Sequence, residues 1–225
     1  CYTGGTYVVG VALGMPDWSV FFAPAYYLYL FYFFIPANIF IYGVNDLWDG
    51  ATDGINPKKQ EKEHLLIDGE RHNLVLLLSI VLAVSAALLL VQDWTERAVF
   101  LSFLFLAYFY SAPPFRFKEV PVLDFSSNML YIMPGIFGFY LAAGTLPSPL
   151  LMAMGFCHIA AMQIFSAVPD IDCDREAGIT TTAVRVGYRP ALLLCLVFWT
   201  LFAGIVIVLA GGHPLALLTL VYPAI

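Results

Sequence analysis

Three carboxylates follow an uncharged, aromatic-rich run of helix length. Asp46 directly follows Asn45, and Asp46, Asp49 and Asp53 are spaced i, i+3 and i+7. At about 100° per residue, these side chains point the same way from a helix. Acids at a helix C-terminus are electrostatically unfavourable, and three on one stripe repel one another unless a cation binds them. The spacing predicts a Mg²⁺ site, since Mg²⁺ takes one or two carboxylates, waters and substrate phosphate oxygens; a solvated helix end is the alternative.

A second acidic cluster, PDIDCDREAG, also follows a long apolar run. Asp170 and Asp174 are four residues apart and share a face if this turn is helical, whereas Asp172 points away. We therefore predict Asp170 and Asp174 as metal ligands and Asp172 as solvated; an ordinary acidic loop is the alternative. Together the two clusters predict that Mg²⁺ is held between them and binds a diphosphate, and that Asp49 and Asp174 act in catalysis.

A metal-bound diphosphate also needs cations that stabilise the charge of the leaving group. Arg116 and Lys118, in the short segment PPFRFK, are predicted to act in catalysis and in diphosphate binding. Lys58, after the first cluster, and Arg175, in the second, are predicted to bind the diphosphate. For each of them, a surface charge that sets membrane orientation is the alternative.

Aromatic residues are abundant, with nineteen Phe, thirteen Tyr and four Trp. Most are expected to face lipid or the membrane interface. The functional interpretation is an apolar tunnel for an isoprenoid chain, whose ring faces stabilise an allylic cation. Tyr42 and Tyr110 are nearest the charged ends of their helices, so Tyr42 is predicted to bind substrate and Tyr110 to act in catalysis. Glycine-rich nucleotide loops and the GxSxG elbow do not occur in the sequence.

The elements that carry these residues are predicted to be membrane helices. The chain is 61% hydrophobic and 12% charged. Soluble domains contain about 45–50% apolar and about 25% charged residues. Pro24 and Pro36 are expected to kink the second helix. Spans are predicted at residues 1–16, 18–44, 73–92 and 98–112. Two more are predicted within residues 125–169, one on each side of a turn at 144–149. The last two are predicted at 190–211 and after 214.

Long charged loops alternate with tight turns, which places the long loops on one side of the membrane. Nine of the ten Lys and Arg residues lie in those loops, and only Arg97 lies opposite. The positive-inside rule makes that side cytoplasmic, so we predict an integral cell-membrane protein with its active site at the cytoplasmic face. Residues 1–225 are expected to form a single transmembrane domain with helix missing at both ends, since the chain starts and stops inside apolar runs.

Three motifs resemble those of the UbiA superfamily of intramembrane prenyltransferases. NDLWDGATD matches the NDxxDxxxD signature, YSAPPFRFK resembles the YSxPPxRxK connection, and PDIDCDREAGITTTAVRVG resembles the second acidic signature. The resemblance implies an all-α, polytopic transmembrane helix bundle with nine helices in the full family and seven to eight here. It also implies Mg²⁺ between the acidic motifs, and more loosely a role for Lys58, Arg116 and Lys118. The metal–diphosphate residues implied are Asn45, Asp46, Asp49, Asp53, Asp170 and Asp174, and whether Asp172 joins them stays open.

The reaction implied is transfer of a prenyl group from an allylic diphosphate to a lipophilic acceptor through a carbocation. The expected partners are an isoprenyl diphosphate, the acceptor and the lipid bilayer, with no nucleic acid. The stretch NPKKQEKE and the aromatic second helix resemble the carotenoid-directed members, such as lycopene elongases; quinone-precursor and other acceptors stay open. One rival class is a cation transporter with acids near the bilayer midplane. Another is a CDP-alcohol phosphotransferase, whose DGxxAR signature the sequence lacks.

Overall fold

The computed structural model describes residues 2–53 and 68–224, with side chains for all of these except 49–53 and 68. Within those ranges the regular structure is entirely helical, which confirms the predicted all-α class. The α-helices are α1 (Tyr2–Gly14), α2 (Pro24–Phe34), α3 (Pro36–Asp53), α4 (Asp68–Val91), α5 (Trp94–Ser111), α6 (Leu123–Ser126), α7 (Met133–Ala143), α8 (Pro149–Ala167), α9 (Ile171–Glu176), α10 (Thr182–Val186), α11 (Tyr188–Leu209) and α12 (Val221–Ala224). Short 3₁₀ turns occupy Trp18–Phe22, Phe117–Glu119, Ser127–Tyr131, Val168–Asp170 and Pro214–Leu220.

Four helical segments in the described part of the chain are long and apolar enough to cross a membrane. They run over Pro24–Trp48, Gly69–Val91, Pro149–Glu176 and Tyr188–Leu209. A spanning helix needs about 20 apolar residues, because the hydrocarbon core is about 30 Å thick. The segments agree with the predicted integral membrane protein.

Pro36 interrupts the second predicted span as expected, whereas Pro24 stands at the start of a helix and does not kink it. Pro24 is the first residue of α2, and Pro36 the first of α3 after a break at Ile35. Proline suits this position, because its missing N–H would have no helical partner there. Carbonyl groups left free at the break find side-chain donors. Asn38 donates to the carbonyl oxygens of Phe33 (2.9 Å) and Phe34 (3.0 Å).

The chain divides into two compact units, and the first comprises Cys1–Arg116 and Leu130–Leu146. Its core consists largely of buried aromatic rings from several helices. Phe33 of α2 lies 5.7 Å from Phe103 of α5 and 5.6 Å from Phe137 of α7, between ring centroids. On α2, the aromatic side chains therefore divide between a packed core and an exposed face. Tyr26, Tyr29, Tyr32 and Phe33 are buried, and Tyr27, Phe31 and Phe34 are exposed.

Helices α1 and α7 of the first unit approach closely because glycines line their contact. A Cβ atom on Gly10 would lie 1.9 Å from the carbonyl oxygen of Gly135. A Cβ on Gly14 would lie 2.6 Å from the Phe139 carbonyl oxygen, and one on Gly138 would lie 2.5 Å from that of Tyr7. Small residues of this kind are typical of membrane helix pairs, where backbone packing replaces the hydrophobic driving force.

The second unit comprises Phe117–Met129 and Pro147–Ile225. Its core is formed where α8 packs on α11, with α6 also against α8. Phe125 of α6 is buried in this core, and its ring centroid lies 5.6 Å from that of Phe198. The unit carries the second acidic motif at the end of α8.

Candidate active site

The first acidic motif lies on α3, which continues without a break through Asp53. Its four polar positions therefore share one helix, as the i, i+3, i+7 spacing predicted. Asn45 is half-buried and Asp46 is exposed. The side chains of Asp49 and Asp53, and the whole of Lys58, lie outside the described residues.

Asn45 is oriented by a residue that sequence reasoning did not select. The buried Ser111, the last residue of α5, donates its hydroxyl hydrogen to Asn45 Oδ1 at 2.8 Å. Because this bond engages the amide oxygen, the NH₂ group of Asn45 is left to donate to an anionic oxygen. The structure thus links the first motif to the YSxPPxRxK segment, in which Ser111 follows Tyr110.

If the protein uses the allylic diphosphate that its motifs imply, replacing Ser111 with alanine is expected to lower kcat/KM for it by about 10–100-fold, the usual cost of losing a group that orients a site residue. The matched control is Ser102→Ala on the same helix, whose exposed hydroxyl donates only to the Ala98 carbonyl, at 2.7 Å. Initial rates of diphosphate release from both variants provide the comparison. Equal rates for the two variants would show that the orientation of Asn45 does not matter.

Three tyrosines cluster beside the first motif. The hydroxyl of Tyr131 lies close to those of Tyr42 and Tyr110, and its ring centroid is 5.6 Å from that of Tyr2. Tyr42 is 55% exposed. Tyr42 and Tyr110 were predicted as site residues, and Tyr131 was missed because nothing in its local sequence distinguishes it from other aromatics.

The basic segment begins directly where α5 ends. The Arg116 N–H donates to the Ala112 carbonyl at 3.1 Å, and a cis peptide bond joins Pro113 to Pro114. Arg116 has a φ of 43°, which is uncommon for a residue other than glycine. Arg116 ends the first part of the first unit, Lys118 lies in the second unit, and both side chains are half-buried.

The second acidic motif spans a 3₁₀ turn and a short helix. The 3₁₀ turn Val168–Asp170 runs directly into α9, and Asp170 and Asp174 are both half-buried. Asp172 is 90% exposed and its Oδ1 lies 3.0 Å from Arg175 Nη1. An exposed pair of this kind contributes little stability. The prediction that Asp172 is solvated agrees with this placement, and Arg175 contacts Asp172 while its diphosphate role stays a prediction.

A Schellman turn fixes the chain after the second motif. The Ile179 N–H donates to the Asp174 carbonyl at 2.8 Å, and the Gly178 N–H donates to the Arg175 carbonyl at 3.2 Å. Gly178 has a φ of 73°, which glycine adopts without strain. The end of α9 is therefore rigidly connected to the residues after it.

The donor set of the two motifs fits Mg²⁺. Its members are carboxylates, which supply the oxygen ligands that a hard cation prefers. In the part of the chain that the structure describes, no three His, Cys, Asp or Glu residues are close enough to hold a metal ion by themselves. Mg²⁺ does not need three, because it keeps waters and uses substrate phosphate oxygens. That the two motifs share the ion stays a prediction.

The fold defines an all-helical integral membrane protein, with an aspartate-rich motif at the end of each of two apolar helices. Residues 4–225 match the UbiA prenyltransferase family, and the chain belongs to this family. The resemblance found in the sequence is therefore confirmed.

Curated relatives of the chain are named lycopene elongase/hydratase. The Haloferax volcanii protein is 39% identical over 202 residues, which cover 90% of this chain and 66% of that protein. The Halobacterium salinarum protein is 38% identical over 226 residues, which cover all of this chain and 80% of that protein.

Solved structures of a UbiA homologue from Archaeoglobus fulgidus share the fold. The Cd²⁺-bound structure has a TM-score of 0.74 at 22% identity, and covers 99% of this chain and 81% of that one. The same homologue has been solved with DMAPP and Mg²⁺, with a TM-score of 0.68. At this level of identity, the likeness concerns the fold.

Proposed function

We propose that the protein transfers an isoprenyl group from an allylic diphosphate to a lipophilic acceptor, and that the acceptor is a carotenoid such as lycopene. The observation that carries the proposal is the 38% identity to a protein named lycopene elongase/hydratase along the whole chain. Family membership supports the transferase reaction. The homologue solved with DMAPP and Mg²⁺ supports the donor class and the cofactor.

The diphosphate is bound by polar groups at the helix ends. Mg²⁺, when bound, neutralises charge on the diphosphate oxygens. The residues that would hold it are Asp46, Asp49, Asp53, Asp170 and Asp174. Asn45 donates an N–H to a diphosphate oxygen, because Ser111 engages its amide oxygen. Arg116 and Lys118, with Lys58 and Arg175 in support, carry the positive charge that stabilises the leaving diphosphate.

The chain then controls a reactive cation. When the allylic C–O bond breaks, the electron pair leaves with the diphosphate and the isoprenyl group becomes an allylic carbocation. Tyr42, Tyr110 and Tyr131 offer ring faces that attract this positive charge. Apolar surroundings exclude water, which would otherwise quench the cation. An electron-rich carbon of the acceptor attacks the cation, and the product loses a proton.

The active site is proposed to lie at the cytoplasmic face, because the acidic motifs and nine of the ten Lys and Arg residues share the long-loop side. The same placement argues against a cation transporter. Asp46 lies near the end of the span Pro24–Trp48, and Asp174 near the end of Pro149–Glu176. A cation pathway would instead place acids in the middle of a span.

The test is to supply the full-length protein in membranes with lycopene, dimethylallyl diphosphate and Mg²⁺. We expect diphosphate release and a carotenoid that is longer by five-carbon units, identified by mass. An Asp174→Asn variant serves as the inactive control. Prenylation of a quinone precursor without any longer carotenoid would reassign the acceptor, and failure to consume any allylic diphosphate would overturn the transferase proposal.

A further inference from the structure

The proposed mechanism does not use Asp124 of α6, a carboxylate that is only 5% exposed. Its Oδ2 accepts the Thr182 backbone N–H at 2.6 Å, and its Oδ1 accepts the Thr182 hydroxyl at 2.5 Å. The Thr182 oxygen in turn accepts the Val122 N–H at 2.7 Å. These three bonds, here called the Asp124–Thr182 clasp, join two segments that lie 58 residues apart.

One side of the clasp is rigidly connected to the second acidic motif. The Schellman turn fixes Ile179 to Asp174. Thr181 then caps α10, because its hydroxyl accepts the Val184 N–H at 3.2 Å. Thr182, the first residue of α10, is therefore tied to the position of Asp174 through a short connection with little freedom.

The other side of the clasp is connected to Lys118. The Val120 N–H donates to the Phe117 carbonyl at 3.1 Å, and the Asp124 N–H donates to the Val120 carbonyl at 2.8 Å. The chain between Lys118 and Asp124 is thus a sequence of tight turns. All of these residues, together with Asp174, belong to the second compact unit.

The clasp holds a backbone conformation that the chain would otherwise avoid. Val122 has a φ of 73°, which is strained for a β-branched residue and persists only when its surroundings enforce it. Its N–H bond to Thr182 is one such constraint. Asn128 also donates its side-chain amide to the Asp124 carbonyl at 2.7 Å, and so fixes the segment from its other end.

A buried carboxylate is a costly way to fasten a loop. Burial raises the pKa of Asp124, although the hydrogen bonds from Thr182 act in the opposite direction. Charged groups are rarely buried unless they are fully hydrogen-bonded, and a neutral pair would fasten the loop at a lower desolvation cost. The carboxylate of Asp124 adds a defined geometry, because both of its oxygens accept hydrogen bonds from Thr182.

We propose that Asp124 is a positioning residue, whose clasp with Thr182 holds Lys118 in a fixed place relative to Asp170 and Asp174. This inference rests on the proposed function, since Lys118 and the two aspartates are its diphosphate-binding groups. Asp124 is not among the proposed metal or diphosphate ligands. It acts through the two segments that it joins.

The first test compares two substitutions at Thr182. Thr182→Val keeps the shape and removes the hydroxyl, whereas Thr182→Ser keeps the hydroxyl. We expect Thr182→Val and Asp124→Asn each to raise KM for the allylic diphosphate by about tenfold, the size of one lost hydrogen bond, and to leave KM for the acceptor unchanged. Thr182→Ser is expected to stay within about twofold of the wild type. If Asp124→Asn does not fold, the two Thr182 variants decide the question.

The second test measures coupling to Lys118. Lys118→Gln is expected to weaken binding of Mg²⁺-pyrophosphate, measured as the ligand-induced rise in melting temperature of the detergent-solubilised protein. In the Thr182→Val background the same substitution should have a clearly smaller effect, because Lys118 is already displaced. Additive effects of Lys118→Gln and Thr182→Val would show that the clasp is structural only. A lower melting temperature of Thr182→Val with unchanged KM and unchanged pyrophosphate binding would show the same.

The two proposals fail in different ways. A wild-type protein that turns over no allylic diphosphate overturns the proposed function, while the pyrophosphate comparison still decides the role of Asp124. If the wild type is active and the KM for the allylic diphosphate is unchanged in Asp124→Asn and Thr182→Val, only the positioning role of Asp124 is overturned.

Discussion

Replacing Asp174 with asparagine lowers kcat by about a thousandfold or more, the expected loss when a group that stabilises developing charge is neutralised. The side chain is half-buried at the end of the apolar span Pro149–Glu176 and lies one helical turn from Asp170. Asparagine has the same size and keeps the helix, so the loss reflects charge and not shape. Diphosphate release measures the rate, and circular dichroism with the melting temperature in detergent measures folding.

Asp172→Asn is the matched control, because Asp172 lies on the same short helix and carries the same charge. Its side chain is 90% exposed and pairs only weakly with Arg175, so turnover is expected to stay within about twofold. Equal losses in the two variants would mean that total negative charge matters and position does not. An Asp174→Asn enzyme that keeps more than about a tenth of its activity would contradict the site assignment, since the lost carboxylate contributes far more in a charge-stabilising role.

The first motif is expected to respond in the same way if both motifs bind one metal–diphosphate complex. Asp46→Asn and Asp49→Ala should each abolish turnover while the protein stays folded. A normal rate in either variant would remove the first motif from the site, even if Asp174 proved essential.

Features that depend on local geometry could be predicted from the sequence. Carboxylate spacing predicted that Asp46, Asp49 and Asp53 share one helix, and α3 agrees with this. A shared face for Asp170 and Asp174 stays a prediction, because Asp170 ends a 3₁₀ turn and only Asp174 lies within α9. Helix ends were predicted less well, because an apolar run marks the hydrocarbon-spanning part and not the whole helix. The span predicted from residue 98 begins at Trp94, where Asp93 and Glu96 form a capping box. The Asp-x-x-Glu spacing of this capping box is visible in the sequence, but hydropathy alone does not detect it.

Contacts between distant segments could not be predicted from one sequence. Ser111 reaches Asn45 across 66 residues, and Asp124 reaches Thr182 across 58. Neither pair shows a local pattern, because each depends on how separate helices pack. A serine before a turn and an aspartate after one are ordinary features of loops. Only the three-dimensional structure distinguishes them from solvated residues.

One long-range contact did have a sequence signal. Gly10 and Gly14 on α1 have the GxxxG spacing that lets membrane helices approach closely. Replacing Gly10 with valine is expected to destabilise the fold by more than about 4 kcal/mol, because a Cβ there would overlap the Gly135 carbonyl oxygen at 1.9 Å. Backbone atoms cannot move aside as a side chain can, so the helices would have to separate.

Gly5→Val on the same helix separates this steric effect from the helix propensity of valine. Gly5 is exposed, and a Cβ there meets no atom within 4 Å. Both variants lose a glycine from α1 and gain the same β-branched residue, so they differ only in what the new side chain contacts. Gly5→Val should purify as a monodisperse protein with a near-normal melting temperature, and Gly10→Val should aggregate or unfold in detergent. A folded Gly10→Val protein with the melting temperature of Gly5→Val would mean that α1 and α7 do not pack through their backbones, and the aromatic core that they enclose would need a different arrangement.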